Sequence, residues 1–500
     1  METFTVASLG AVVLFYLVTL ASYRLFLHPL ATFPGPKLAA ITRYYEAYYD
    51  IVKNGEYTFK IAELHKEYGP IMRISPYELH VSDPAFFGVI YRQEGHWNKY
   101  DWSYDAFLAP GSAICSIDHN VHRRRRAPLN PFFSKATVAK RQNLINSQIM
   151  KLIDRIRDTD QSRLNIGAAL SALTRDIATE YILARNYHDL DKEDFGEGMT
   201  DVLQSSGAMW RITKHVRWFG PMMKSLPLDF VEKIGDAGTK AFFGFLKDTM
   251  KITADIIAAK SSFDVSMDAP TIVHAILTSD LPPAEKEFGR IHDEVSTVSG
   301  AAFETSAQTL RVLLYYIYND ANILRRLRTE FQQLPPESRT KLSALEQLPY
   351  LTAVLMEGLR LSPGIATRTP RVAPDRDLVY DKWVIPKGTP VGMTTLLMHL
   401  DGNIYPNPKS FDPDRWTDLN TRKQYEKIYA PFSRGTRSCL GMHLAWAELY
   451  LTIAALVQEF DFSFEGTAPE EIEPVSDQFI IGTRARNGLV VRVKTHTLSE

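Results

Sequence analysis

Residues 432–441 read FSRGTRSCLG, and residues 441–460, GMHLAWAELYLTIAALVQEF, continue with the spacing of a long helix. Cys439 therefore stands just before a helix N-terminus, where free backbone N–H groups and the helix dipole favour a thiolate that can bind a metal. Gly435 and Gly441 would let the backbone approach a flat macrocycle closely. A cysteine at a helix start is by itself more often a small buried side chain than a metal ligand. The neighbouring residues are therefore needed to distinguish these two roles.

The composition indicates one large folded body that does not bind nucleic acid. The chain has 500 residues, 45% of them hydrophobic and 23% charged, and no linker, repeat or low-complexity tract follows the first forty. The formal net charge of −1 provides no global field that would attract nucleic acid. Two cysteines, Cys115 and Cys439, are too few for a disulfide framework, so we expect a reduced, cytosolic body.

The N-terminus carries a candidate membrane span. Residues 3–23 contain no charged side chain and are long enough to cross a bilayer, so we expect a transmembrane signal anchor over residues 1–24. A cleaved signal peptide is the alternative, but no basic residue precedes the apolar run and no clear cleavage site follows it. The first basic residues come after the span, which predicts that the main domain lies on the cytoplasmic side: Arg24, Lys37 and Arg43.

The rest of the chain is expected to be mainly α with small β-sheets. The prolines of residues 25–40 cannot continue a helix and predict a stiff hinge, after which residues 41–500 form one catalytic domain. Residues 69–84 predict a β-hairpin, and residues 370–395 are again rich in strand formers. Helical spacing dominates from about residue 135 to 360.

The pattern Phe-x-x-Gly-x-Arg-x-Cys-x-Gly over residues 432–441 resembles the haem-binding loop of the cytochrome P450 family. The resemblance implies the cytochrome P450 fold and a haem b whose iron is bound by the Cys439 thiolate, with Phe432, Arg437 and Gly441 against the cofactor. The sequence contains none of the common nucleotide-binding motifs, so electrons are expected from a separate protein.

A second motif lies upstream of the cysteine loop. Glu357 and Arg360 are three residues apart on one helix face, where a local salt bridge is the simplest role. Their distance before Cys439 resembles the Glu-x-x-Arg motif of the family, and Arg415, within FDPDRW, resembles the arginine that completes its triad. The resemblance implies a structural role for the three residues in holding the haem loop.

The segment AAFETS at residues 301–306 resembles the oxygen-activation helix of the family, which usually has glycine where this chain has Ala302. A hydroxyl at Thr305 could bond back to a helix carbonyl and make room for dioxygen, while Glu304 could relay protons. The alternative is an ordinary helical threonine beside a solvated glutamate. The resemblance favours catalytic roles for Thr305 and Glu304.

Four basic residues are expected to bind the haem propionates, for which arginine offers permanent charge and bidentate geometry. HRRRR at residues 122–126 resembles the family's helix near the haem edge, and by this resemblance the set is His122, Arg126, Arg371 and Arg437. A solvated or nucleic-acid-binding face is the alternative for such a basic run. The near-neutral chain favours haem binding and docking of a reductase.

The family resemblance implies a haem-dependent monooxygenase that uses O2 and NADPH electrons, delivered by NADPH-cytochrome P450 reductase with cytochrome b5 as a further donor. The chain is similar to fungal enzymes of secondary metabolism of the trichodiene oxygenase-like type, which implies a lipophilic terpenoid or polyketide substrate. The expected location is the endoplasmic reticulum membrane, single-pass, with the catalytic domain facing the cytosol. Family placement puts these residues around the substrate: Trp97, Tyr100, Trp102, Tyr104, Phe107, Met209, Trp210, Phe303, 365–369 and 479–481.

Two other functions are compatible with the same motifs. A haem-thiolate isomerase, dehydratase or peroxide-using enzyme would need no reductase, although Glu304 and Thr305 disfavour it. A non-enzymatic haem-binding paralogue would keep the fold for a partner, although the intact motifs disfavour that too.

Overall fold

The computed structural model describes residues 2–159, 162–259, 270–486 and 488–496, and it confirms a mainly helical fold with small sheets. The longer helices are α1 (Glu2–Ser22), α2 (Tyr57–Tyr68), α3 (His119–Arg126), α4 (Gln142–Arg157), α5 (Ile166–Leu183), α6 (Glu197–His215), α7 (Phe219–Ser225), α8 (Leu228–Ile234), α9 (Ala237–Ala258), α10 (Phe288–Asn319), α11 (Ala321–Gln332), α12 (Pro349–Leu361), α13 (Leu419–Glu426) and α14 (Met442–Glu459). Shorter helices are Lys37–Ile41, Tyr44–Ala47, Phe87–Ile90, Asp101–Tyr104, Leu129–Phe132, Lys135–Lys140, Ile272–Leu277, Leu342–Leu345, Thr395–His399 and Pro469–Ile472.

The strands form four small sheets within the described residues. They are β1 (Ile71–Ser75), β2 (Glu78–Val81), β3 (Asn98–Lys99), β4 (Arg163–Asn165), β5 (Arg371–Val372), β6 (Leu378–Tyr380), β7 (Trp383–Ile385), β8 (Pro390–Gly392), β9 (Phe460–Phe464), β10 (Ser476–Gln478), β11 (Ile480–Gly482) and β12 (Val490–Thr495). The sheet orders are β1-β2-β8-β5-β3, β4-β12-β9, β6-β7 and β10-β11. The predicted hairpin is confirmed, since β1 and β2 pair antiparallel with Ile71 opposite Val81.

The core is built around α10, whose 32 residues span about 48 Å at 1.5 Å per residue. Helix α5 packs along it and is buried on almost every face, including its charged residues Arg175 and Asp176. Helix α14 packs against both α4 and α10. The cysteine loop therefore leads directly into a central core helix.

The N-terminal helix stands apart from this core. Its apolar side chains are exposed, and Ser8–Leu27 is the one stretch of the described chain that is long and apolar enough to cross a membrane. The proline-rich segment that follows packs on the domain: Leu30 and Phe33 are buried, and the Arg73 amide donates to the Pro34 carbonyl at 2.7 Å. The segment expected to be a hinge is thus held against β1.

Candidate functional site

The cysteine loop forms a tight turn at the N-terminus of α14. The Cys439 amide donates to the Phe432 carbonyl at 2.9 Å, which closes the loop. Gly435 has a φ of +74°, and a Cβ there would lie 2.5 Å from the Arg92 carbonyl oxygen, so no other residue fits without a shift. Gly441 is the N-cap residue of α14.

The Cys439 thiol is exposed although it lies deep in the protein, which means that it faces an internal space. Burial raises the pKa of the Cys439 thiol, whereas the Gly441 amide and the Arg126 guanidinium lower it. Both groups that favour the thiolate are therefore in place, and the remaining cost of ionisation is desolvation. A positive metal centre at the sulfur would offset that cost.

The structure brings His122, Arg126, Arg371 and Arg437 together. Burial, and then the charge of Arg437, lower the pKa of His122 to about 2, while burial and then Arg371 lower the pKa of Arg437 to about 9. Arg126 also donates to the Ser438 carbonyl at 2.6 Å, which ties α3 to the cysteine loop.

This cluster has an excess of buried positive charge. The Arg437 Nη groups donate to the carbonyls of Ser116 and Ile117 at 2.7 and 2.9 Å, but Arg437 Nε has no acceptor. His122 Nδ1 is likewise buried without a partner. Buried charges are normally paired, so the cluster fits a missing dianion such as the two propionates of a haem.

Lys99, on β3, is a fifth member of the cluster and was missed by the sequence analysis. It is buried, its ammonium lies 3.7 Å from the Tyr104 ring centroid, and burial and then Arg437 hold its pKa well below the usual range. No local signal distinguishes this lysine, because only pairing of β3 with β5 brings it next to Arg371.

Glu357, Arg360 and Arg415 form the expected triad. Arg360 donates to both Glu357 carboxylate oxygens at 2.8 Å, and Arg415 Nε donates to Oε1 at 3.3 Å. Trp416 Nε1 and the Asp412 amide also donate to Glu357, each at 2.9 Å.

The triad reaches the cysteine loop through His399. Arg360 donates to the His399 carbonyl at 2.7 Å, and His399 Nε2 accepts from the Ala430 amide at 3.1 Å, two residues before Phe432. The triad therefore fixes the segment from which the cysteine loop begins.

Thr305 and Glu304 point in different directions from α10, because successive helical residues are about 100° apart. The Thr305 hydroxyl donates to the Ala301 carbonyl at 2.9 Å, and Ala301 is exposed in the middle of the helix. Glu304 is buried on the α5 side, where Arg311 and the Ser171 hydroxyl contact its Oε2 at 3.1 and 3.2 Å. The structure does not bring the two side chains together.

The expected substrate-contacting aromatics divide into two groups. Phe107 and Trp210 lie 4.8 and 5.4 Å from the Phe479 ring, so three distant segments meet at one aromatic cluster. Others are taken up in packing: Trp97 is 1% exposed, and Phe303 contacts the Phe245 ring at 5.3 Å.

A cavity of about 880 Å³ lies beside this site, between the chain before α3 and the ends of α6 and α7. Its lining includes Tyr104 and Ser116, which border the cation cluster, but not Cys439. The cavity thus lies next to the cation cluster and does not include the thiol. Its lining also includes three basic residues: Arg125, Arg217 and Lys224.

Comparisons with known proteins agree with this geometry. The family model for cytochrome P450 matches residues 48–488. The chain is 37% identical to the cytochrome P450 monooxygenase MO6277 of Ascocoryne sarcoides, covering 97% of this chain and 98% of that protein. It is 35% identical to the tryptophan 6-hydroxylase fscE of Fusarium equiseti, covering 94% of each.

A solved structure shares the fold. The retinoic acid-bound cyanobacterial protein CYP120A1 superposes with a TM-score of 0.69 at 19% identity, covering 90% of this chain and 96% of that one. The family match spans most of the chain, and the fungal relatives align over nearly their whole length. The chain therefore belongs to the cytochrome P450 family.

Proposed function

We propose that Cys439 is the thiolate ligand of the haem in this monooxygenase, and that His122, Arg126, Arg371, Arg437 and Lys99 hold the propionates. The observation that carries the proposal is the buried cluster of unpaired cations beside a deep, accessible thiol. Haem, when bound, supplies the activation of O2 and the insertion of one oxygen atom into the substrate. Phe432 and Gly441 would line the sulfur side of the cofactor.

The protein residues would prepare the site for this chemistry. The Gly441 amide stabilises negative charge on Cys439 Sγ, and Arg126 adds a positive charge nearby. Glu357, Arg360 and Arg415 would hold the loop rigid, since their network is buried and connects through His399.

Thr305 is proposed to handle protons on the side of α10 that faces the internal space. The Thr305 hydroxyl carries a proton on Oγ1 and donates to the Ala301 carbonyl in a hydrogen bond that is not needed to keep the helix formed. The hydroxyl can therefore rotate and donate to another acceptor without breaking the helix. Glu304 could join such a relay only by leaving Arg311, whose Nη2 lies 3.1 Å from its carboxylate. The proton-relay role of Glu304 therefore requires a side-chain movement.

The proposal also covers the class of substrate and the source of the electrons. The aromatic cluster of Phe107, Trp210 and Phe479 supports a lipophilic small molecule, which we propose to be a terpenoid or polyketide intermediate of fungal secondary metabolism. Relatives named as tryptophan and N-acetyltryptophan 6-hydroxylases widen this class to aromatic molecules. The electrons are proposed to come from NADPH through cytochrome P450 reductase, with cytochrome b5 as a further donor.

The domain division and location follow from the N-terminal helix. We infer a membrane anchor over residues 1–24, a connecting segment over 25–40 and a catalytic domain over 41–500. Basic residues after the span support a catalytic domain on the cytosolic side, in the endoplasmic reticulum membrane.

The decisive test is the difference spectrum of the reduced, carbon monoxide-bound protein for wild type, Cys439→Ser and Cys115→Ser. A red-shifted Soret band in wild type and Cys115→Ser, absent from Cys439→Ser, is the expected result. Cys115 is a matched control because it is the other of the two cysteines in the sequence. An unchanged band in Cys439→Ser would eliminate this thiol as the ligand.

A further experiment separates the monooxygenase from a reductase-independent isomerase, dehydratase or peroxide-using enzyme, and from a non-enzymatic haem protein. Product formation that requires both NADPH and reductase supports the first. Turnover with neither supports the second, and a stable haem complex without turnover of any oxidisable lipophilic molecule supports the third.

A further inference from the structure

A small pocket of about 230 Å³ lies where the N-terminal helix meets the domain. It is separate from the site around Cys439 and shares no residue with it. Its lining combines basic, aromatic and hydroxyl side chains: Arg24, Thr42, Arg43, Tyr44, Pro76, Tyr77, Trp102 and His215.

The pocket lies at the depth of lipid headgroups if α1 spans the membrane. Ser8–Leu27 contains 20 residues, about 30 Å of helix, which equals the usual thickness of the hydrocarbon layer. Arg24 is in the last turn of this stretch, and its Nη2 donates to the Tyr77 hydroxyl at 2.8 Å. Arg73 donates to the Arg24 carbonyl at 2.8 Å, so the helix end is fixed against the pocket.

Three N–H donors on the pocket lining are buried without a hydrogen-bond acceptor: Arg24 Nε, Arg43 Nη1 and Trp102 Nε1. Unsatisfied buried donors are uncommon in native proteins, and three around one cavity indicate a missing acceptor. An oxyanion has several lone pairs and is the kind of acceptor that such donors lack.

The positive charge of the two arginines in the pocket is only weakly compensated by carboxylates. Arg24 has no acidic partner among the described residues, and Arg43 Nη1 lies 4.0 Å from Glu46 Oε2. Glu46 already accepts from Lys214 and Arg368, each at 2.8 Å. A phosphate group would supply both the missing charge and the missing acceptors.

The surroundings favour a lipid over free phosphate. The lining includes two exposed tyrosines, a residue enriched where membranes meet water: Tyr44 and Tyr77. Two guanidinium groups, of Arg43 and Arg217, lie 3.7 and 4.3 Å from the Trp102 ring. Trp102, expected at the substrate, is instead part of this basic and aromatic site.

We propose that this pocket binds the phosphate group of an anionic phospholipid from the membrane that holds α1. The proposal rests on the proposed membrane attachment. The bound headgroup would fix the angle between the anchor and the catalytic domain, because Arg24 belongs to the helix whereas Arg43 and Trp102 belong to the domain.

The test uses full-length protein in phospholipid-free detergent micelles, with dioleoyl phosphatidic acid as the probe and native mass spectrometry to count bound lipid. Wild type is expected to retain one lipid molecule. Arg24→Gln and Arg43→Gln should each bind about tenfold more weakly, the loss of one charge-assisted hydrogen bond. Lys37→Gln is the matched control, because Lys37 is exposed in the same segment but does not line the pocket.

An unchanged carbon monoxide spectrum in all variants establishes that each one is folded. Equal lipid retention by wild type and both arginine variants would overturn the proposal. An equally weakened binding in Lys37→Gln would also overturn it, because net positive charge alone would then explain lipid binding. Displacement of the lipid by equimolar inorganic phosphate would overturn the lipid as the source. Carbonate extraction of native membranes tests the anchor separately: release of wild-type protein would refute the membrane attachment, whatever the micelle result.

Discussion

Replacement of Glu357 by alanine should destabilise the protein strongly, because this carboxylate lies at the centre of a buried network. Glu357 and Arg360 are both fully buried, and the carboxylate also accepts from Arg415, Trp416 and the Asp412 amide. Removal of one partner from a buried ion pair costs about 3–5 kcal/mol, because the other charge is left without compensation. The unfolding entropy of a domain of roughly 460 residues is about 1 kcal/mol/K, so the midpoint of thermal unfolding should fall by about 3–5 °C.

The assay is thermal unfolding of haem-loaded protein at a fixed scan rate, with haem content measured from the carbon monoxide spectrum. Glu426→Ala is the matched control, since Glu426 pairs with Arg422 at 2.8 Å on the exposed surface of α13. Such a pair contributes about 0.5 kcal/mol or less, so the control should melt within about 1 °C of wild type. A Glu357→Ala protein that melts with the control and keeps full haem content would refute the structural role of the triad.

Three further predictions concern Lys99 and Thr305 of the site and Glu448 on α14. Lys99→Met should release haem to a scavenging apoprotein about tenfold faster than wild type or the exposed-site variant Lys53→Met, because about 1.4 kcal/mol of propionate binding is lost; equal rates would exclude Lys99 from the haem site. Thr305→Val should lower the product formed per NADPH consumed by about tenfold or more. Thr297→Val should leave this ratio unchanged, although it removes a similar hydroxyl that donates to a helix carbonyl two turns away. An equal ratio in both variants would show that Thr305 has no role in proton transfer. Burial raises the pKa of Glu448 to about 8, so the folded state keeps a proton that the unfolded state loses from about pH 4.5 upwards. This group should therefore lower the free energy of unfolding with rising pH across that window by up to about 1.4 kcal/mol per pH unit, and Glu448→Gln should remove that contribution from the slope measured in urea titrations. An identical slope in the variant would contradict the buried, protonated state.

Several features could be predicted from sequence because they depend on short-range spacing. The loop before α14 combines glycines, two arginines and a cysteine within ten residues, and the hairpin around Ser75 and Pro76 needs only local turn chemistry. The exposed apolar helix at the N-terminus was predictable from composition alone. In each case the deciding interactions are made by residues close in the chain.

Other features depended on packing between distant segments. Glu304 matches the family pattern in sequence. Its contacts, however, are made by Arg311, seven residues later on α10, and by Ser171 on α5. Lys99 joins the cation cluster only because β3 pairs with β5, about 270 residues later. Trp102 was expected at the substrate but lies beside Arg43 and Arg217.

The sequence by itself thus determined the family, the position of the cysteine loop before α14 and the apolar N-terminal helix. Tertiary structure alone decided which charges are left unpaired, around Arg437 and in the pocket at Arg24. The physical reason is that a motif specifies residue types at fixed local spacing, whereas the pairing of a buried charge depends on every segment that packs against it.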